Sequence, residues 1–113
     1  MHELSICQSL IESIEDAARE HAFSKVSRVT LEIGAFAGVE IEALKFSFDV
    51  AGRDTLCEGA SLVIHAMPGM GYCFECSSAV EIEDRLSPCP KCGSAKVQAT
   101  GGDQLKIKDL EVV

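Results

Sequence analysis

The sequence is short of positive charge: ten Lys and Arg stand against eighteen Asp and Glu, for a net charge of −8. Proteins that hold nucleic acid draw most of their affinity from basic side chains meeting phosphate. A chain that repels phosphate overall is therefore not expected to bind nucleic acid. It also has no apolar run near the ~20 residues that a membrane helix needs, so no membrane association is expected. The first residues, Met1 to Gln8, lack a basic region followed by an apolar one; no signal peptide is read, and a cytoplasmic protein is expected. Aromatic residues are sparse, at 5 %, and there are no internal repeats or low-complexity tracts. The remaining composition is that of a soluble globular chain. Its 113 residues, 47 % apolar and 25 % charged, suit one domain or a small domain carrying a smaller module.

Against these shortages, six cysteines stand out. Cys73, Cys76, Cys89 and Cys92 form two close pairs. In a chain without a secretion signal such pairs hold a metal more often than they form disulfides. Cys7 and Cys57 stand alone in apolar surroundings and read as small core residues.

Periodicity gives the elements. Leu4, Cys7, Ile11, Ile14, Ala18 and Ala22 recur at helical steps, predicting a helix over 4–22, with Ser5 and Gln8 resembling a capping box. With Ser5 as cap, residues 1–4 form a short free arm. Val29, Leu31 and Ile33 alternate with Arg28, Thr30 and Glu32, which predicts a strand with one wet face. A second helix is expected over 39–51, bearing Ile41, Leu44, Phe48 and Ala51 on one face and closed by a left-handed Gly52. A strand over 61–67 follows. The last strand, 105–113, slips in phase near Lys108 and Asp109, where a bulge would fit. Met67 to Gly71 and Thr100 to Gly102 read as hinges. Between them the chain is poor in large aliphatics, so a metal must organise it. The expected fold class is α+β: two helices on a small three-stranded mixed sheet, with an inserted zinc-ribbon module. The expected division is 1–68 with 101–113, and 69–100.

The paired cysteines follow the pattern C-x2-C, twelve residues, C-x2-C. Two tight turns bring four thiolates around one ion, the closed tetrahedral set that zinc favours. Pro90 stiffens the second knuckle and Gly93 lets backbone amides approach sulfur; the first knuckle, ending at Ser77, lacks that glycine and is expected to be less regular. Lys91 and Lys96 offset part of the cluster's charge. Iron in a rubredoxin-like site would use the same thiolates. With no open coordination position the site is structural, and the chain lacks a nucleophile–base pair and a phosphate-cradling loop, so no enzyme activity is expected.

The N-terminus offers a second donor set. Histidine at position two is too bulky for ready removal of Met1. The α-amine, the amides of His2 and Glu3 and the His2 imidazole would then lie within one short peptide. Square-planar nitrogen sets suit Ni(II) and Cu(II), although a histidine at position two is more often simply exposed. His21 falls at the end of the first helix, where it complements the dipole. His65 reads as a surface or interface residue.

Met1-His2-Glu3-Leu4-Ser5 with the following helix, the strand ending Ile33-Gly34, the two C-x2-C knuckles, and Gly102-Asp103-Gln104-Leu105-x-Ile107 with Glu111-Val112 together resemble the HypA/HybF family of hydrogenase nickel-incorporation proteins. The resemblance covers the chain in order. It implies a nickel metallochaperone acting in maturation of [NiFe]-hydrogenase and, in some organisms, urease. It implies a HypB-type GTPase partner and the hydrogenase large-subunit precursor as client, with the chain a monomer or homodimer. His2 is the implied nickel ligand, with Met1 through its amine and Glu3 through its backbone. Cys73, Cys76, Cys89 and Cys92 are the implied ligands of structural Zn2+. Some members carry histidines beside the zinc cysteines; this chain has none there. A zinc-ribbon nucleic-acid module and a rubredoxin-like electron carrier are the competing readings of the residues alone.

Overall fold

The computed structural model describes residues 3–113. Its elements run in the order α1 (Glu3–His21), β1 (Val26–Gly34), α2 (Ile41–Ala51), β2 (Ser61–Met67), β3 (Gly69–Cys73), β4 (Ser78–Ile82), β5 (Val97–Gly101) and β6 (Leu105–Val112). No helix among the described residues is long and apolar enough to cross a membrane.

Two three-stranded sheets form, ordered β2-β1-β6 and β4-β3-β5. In the first, β6 runs antiparallel to β1: Gly34 donates to the Gln104 carbonyl at one end, and the Ser27 hydroxyl reaches the Glu111 carbonyl at the other. The C-terminal ends of β1 and β2 meet where Ala35 donates to Met67, so those two strands are parallel and α2 is their crossover. The sheet is mixed, as expected. In the second, β3 is the centre of two antiparallel pairings, Gly71↔Val80 with β4 and Gly71↔Ala99 with β5.

The chain divides into two compact units. The first takes residues up to Leu31, then Val39–Ile64 and Ile107–Val113. Its core is the apolar stripe of α1 (Cys7, Leu10, Ile11, Ile14, Ala18), Leu44 and Phe48 of α2, Val26, Val29 and Leu31 of β1, and Cys57. The Cys7 thiol donates to the Leu44 carbonyl, tying the helices together. Cys7 and Cys57 are 0 % and 2 % exposed, the small core residues that their surroundings suggested. Burial along β6 follows Leu105 and Ile107, then Leu110, which is the expected slip in phase.

Helix ends depart from expectation. The first helix starts at Glu3, so Ser5 lies within the first turn and does not cap. The Glu3 carboxylate accepts from the Glu40 amide at 3.4 Å, and an acidic residue in the first turn suits the helix dipole. The helix stops where Ala22 turns left-handed (φ 57°) and Phe23 donates back to Ala18. The second helix starts at Ile41, capped by the Glu40 carboxylate, which accepts from the Ala43 amide. Gly52 keeps a right-handed conformation (φ −76°) and donates to Phe48; Asp54, two residues on, is left-handed. Thr30, on the supposed wet face of β1, is 5 % exposed, while Arg28 on the same face stays exposed.

The second unit takes Glu32–Gly38 and His65–Lys106. It has a small core of its own: Val80 and Ile82 of β4 with Cys73 and Cys89, joined by Phe36, Val97 and Ala99. The glycines expected to act as hinges are built into it instead. A Cβ at Gly69 would lie 2.3 Å from the Phe36 ring and 2.6 Å from the Ile82 carbonyl oxygen. Gly69 and Gly71 are glycine because two segments touch there, and both sit in β3.

Candidate metal centre

The four paired cysteines converge. One sulfur from each of Cys73, Cys76, Cys89 and Cys92 lies within 4.8 Å of the others. Cys73 ends β3 and Cys76 follows in the turn to β4; Cys89 and Cys92 come from the loop before β5. The sulfurs of Cys73 and Cys92 are 3.6 Å apart, and those of Cys76 and Cys89 are 3.8 Å apart. Four sulfurs on a tetrahedron with ~2.3 Å metal bonds stand about 3.8 Å from one another. The donor set thus fits a metal ion with tetrathiolate geometry. Cys73 and Cys89 are buried, while Cys76 and Cys92 reach the surface.

Each knuckle needs a left-handed residue directly after its second cysteine. Gly93 supplies it in one (φ 76°) and Ser77 in the other (φ 54°). The first knuckle is therefore as regular as the second, despite lacking glycine. The Cys89 amide donates to the Ser94 carbonyl at 2.8 Å, and Gly93 donates to the Cys89 carbonyl at 2.8 Å. Phe74 donates to the Lys96 carbonyl, which links the first knuckle to the chain leading into β5. Tyr72 and Phe74 pack edge to face at 5.1 Å beside it.

The thiols divide in acidity. Burial alone would raise Cys89, but the backbone N–H groups of Cys92 and Lys91, with thiol bonds from Cys92 and Cys73, outweigh it and bring its pKa down to about 6. For Cys92, a backbone bond from Ser94 works downward; burial and three neighbouring sulfurs prevail and push it up to about 12. Cys89 and Cys92 are thus pulled in opposite directions by the same group of neighbours. A divalent ion removes that conflict, because metal-bound thiols are deprotonated outright. Lys96, expected to offset the cluster's charge, instead faces the Glu75 carboxylate at 3.8 Å.

The other candidate residues fall elsewhere. Met1 and His2 lie outside the described residues. Glu3 opens α1, its carboxylate engaged by the Glu40 amide. His21 sits in the last turn of α1, and His65 is exposed on β2. The sequence reading missed Phe36, which helps close the core behind Cys73 and Cys89. The Arg85 guanidinium lies 4.9 Å above its ring. A lone aromatic in the small-residue turn between Gly34 and Gly38 was the available signal.

Comparison with known proteins bears on the whole chain. A family profile described as "Hydrogenase/urease nickel incorporation, metallochaperone, hypA" matches residues 1–112. A protein of Beijerinckia indica named hydrogenase maturation factor HypA is 56 % identical over 113 residues, covering all of both chains. A protein of the same name from Rhodobacter capsulatus is 52 % identical over 113 residues, again covering all of both. The solution structure of the Ni metallochaperone HypA from Helicobacter pylori superposes with a TM-score of 0.71 at 28 % identity, covering 100 % of this chain and 98 % of that one.

Proposed function

This chain belongs to the HypA family of hydrogenase/urease nickel-incorporation metallochaperones, and from that premise we propose that it carries Ni(II), without turnover, to a hydrogenase large-subunit precursor. A HypB-type GTPase is the proposed partner in loading or release, urease a second possible destination, and the cytoplasm the place of work. The family match over residues 1–112 is the observation that carries this reading.

Nickel is the cargo. Its proposed site is Met1-His2-Glu3, through the free α-amine, ionised backbone amides and the His2 imidazole. Amide nitrogens bind only after losing protons, so affinity rises with pH. Glu3 is the first residue of α1, and its carboxylate accepts from the Glu40 amide. The proposed division of labour gives residues 1–68 and 101–113 to nickel and 69–100 to zinc. Cys73, Cys76, Cys89 and Cys92 would hold Zn2+ as a closed structural site, a role supported by their tetrahedral sulfur spacing. When bound, zinc supplies folding free energy to the knuckles, not chemistry.

Calorimetric titration tests the nickel site with three proteins: the chain itself, His2→Ala, and the chain with one glycine before Met1. Loss of tight nickel binding in the last two, with zinc content unchanged, is expected. Undiminished affinity in both would remove Met1-His2-Glu3 as the site. Elemental analysis tests the second centre: a colourless protein with one equivalent of zinc is expected, and a red iron protein would overturn it.

A further inference from the structure

We propose that the outer face of the sheet β4-β3-β5 receives an arginine side chain of a partner protein, laid over Ala79 between the Tyr72 ring and the Glu81 carboxylate. The register fixes which residues share that face. Gly71 is opposite Val80 and Gly69 opposite Ile82, and both Val80 and Ile82 are buried in the small core. Side chains alternate across a strand, so Met70, Tyr72, Ala79 and Glu81 lie on the other side, where Tyr72 faces Ala79 and Met70 faces Glu81. From β5, Gln98 faces Tyr72 and, after a shift in register, Gly101 faces Met70. Ala79, Glu81 and Gln98 are exposed, and Met70 and Tyr72 are half-buried. Phe74 prolongs the row just past β3; it is 61 % exposed, with its ring edge to face with Tyr72.

This face is uneven, and its relief suits one kind of occupant. Met70, Tyr72 and Phe74 stand as a ridge along the central strand. Ala79 is too small to cover the Tyr72 ring, which leaves a recess one side chain wide. β4 is an edge strand, so the recess opens outward. Residues opposed on neighbouring strands stand about 5 Å apart, and diagonal neighbours about 7–8 Å. Tyr72 and Glu81 are diagonal neighbours across Ala79. A flat cation fits that gap, stacked on the ring and meeting the carboxylate with its edge.

Charge narrows the choice. Among the outward strand positions Met70, Tyr72, Ala79, Glu81, Gln98 and Gly101, only Glu81 is charged, and it enters no ion pair among the described residues. Glu75, beside Phe74, already faces Lys96. Aromatic faces attract cations, and the guanidinium stacks where the more strongly hydrated ammonium of lysine does not. The arginine comes from a different protein, because all four in this chain are engaged within it: Arg19 with Asp16, Arg28 with Glu111, Arg53 with Asp49, and Arg85 over Phe36. A net charge of −8 draws basic surfaces toward the chain as a whole. The recess is independent of where nickel binds.

The test is a nuclear magnetic resonance titration of the full-length, zinc-loaded, isotope-labelled chain with the capped peptide Gly-Gly-Arg-Gly-Gly. Amide shifts should saturate and centre on residues 72–81, and the peptide's arginine side-chain protons should move upfield under the ring. Binding should weaken as salt rises from about 0.05 to about 0.5 M. Glu81→Gln and Tyr72→Leu should each weaken it roughly threefold or more. Tyr72→Phe keeps the ring and should bind as the native chain does, as should Glu20→Gln, which removes an exposed carboxylate of α1. Glu81 is exposed, so the circular dichroism and zinc content of its variant should be unchanged. Equal shifts with citrulline in place of arginine would overturn the proposal, as would undiminished binding by Glu81→Gln. Shifts at the same residues that grow with protein concentration alone would give the face to a second copy and overturn it too.

Discussion

Replacing Gly69 by alanine separates two accounts of the same glycine by the sign of the effect. If Gly69 were a hinge, alanine would stiffen the unfolded chain and stabilise by about 0.4–1 kcal/mol, provided the native backbone accepts it. The backbone does accept it, because Gly69 is not in the left-handed region. The structure nevertheless sets a new Cβ 2.3 Å from the Phe36 ring and 2.6 Å from the Ile82 carbonyl oxygen. The ring can rotate away at some cost to the core behind Cys73 and Cys89. The carbonyl cannot, since Gly69 and Ile82 are directly paired across β3 and β4. Overpacking of this kind costs about 1–3 kcal/mol. For a chain of this size each kcal/mol moves the melting temperature by about 4–8 °C, so a fall of at least about 4 °C is expected. Thermal unfolding of the zinc-loaded protein followed by circular dichroism reads it, and amide exchange at Val80 and Ile82 should quicken. A melting temperature that is unchanged or raised would refute the packing account. Shortening Phe36 to leucine in the Gly69→Ala background should recover part of the loss, because one of the two clashes is with that ring.

Ser77→Gly should stabilise the zinc-loaded protein by about 1 kcal/mol, since Ser77 bears the left-handed cost that glycine escapes; an unchanged denaturation midpoint would count against it. Cys89→Ala should leave Leu31 and Leu44 amides protected from exchange while β3, β4 and β5 lose protection, because those two residues belong to the first unit's core. Equal loss in both units would contradict separate cores. Burial, with the Glu3 charge, pushes the Cys7 thiol up to about 11, and burial, with Glu15 against Lys25, does the same to Cys57. The unfolded thiols ionise near 9.0. Between these values the unfolded state holds fewer protons, so stability is intact below pH 9 and falls as pH rises toward 11. Urea midpoints across that window should fall, and should fall less in a Cys7→Ala, Cys57→Ala variant.

Much of the molecule was legible because it is encoded within a few residues. Three- and four-residue recurrence gave the buried stripe of α1, from Cys7 to Ala18, and Leu44 and Phe48 on α2. Alternation gave the buried Val29, Leu31 and Ile33 of β1, and a break in alternation gave the slip in β6. The spacing of Cys73, Cys76, Cys89 and Cys92 announced the four-sulfur cluster, because two residues between cysteines suffice to turn both toward one point. The motifs at Met1 to Ser5 and in the knuckles carried the resemblance, and the family match spans residues 1–112.

Other features depend on chain segments far apart in sequence, and local pattern could not supply them. The start of α1 at Glu3 goes with a partner, Glu40, 37 residues away. Gly69 and Gly71 look like flexible punctuation until β4 and β5 are placed beside them. The paired-cysteine stretch looked coreless because Phe36 comes from the β1–α2 turn and Val97 and Ala99 come from β5. Ser77 shows no sign of a left-handed residue by type; the need to aim Cys73 and Cys76 at one ion imposes it. Residue identity sets which faces are apolar and which side chains can bind metal. Only tertiary packing decides which backbones must touch, because that depends on surfaces brought together after the local elements have formed.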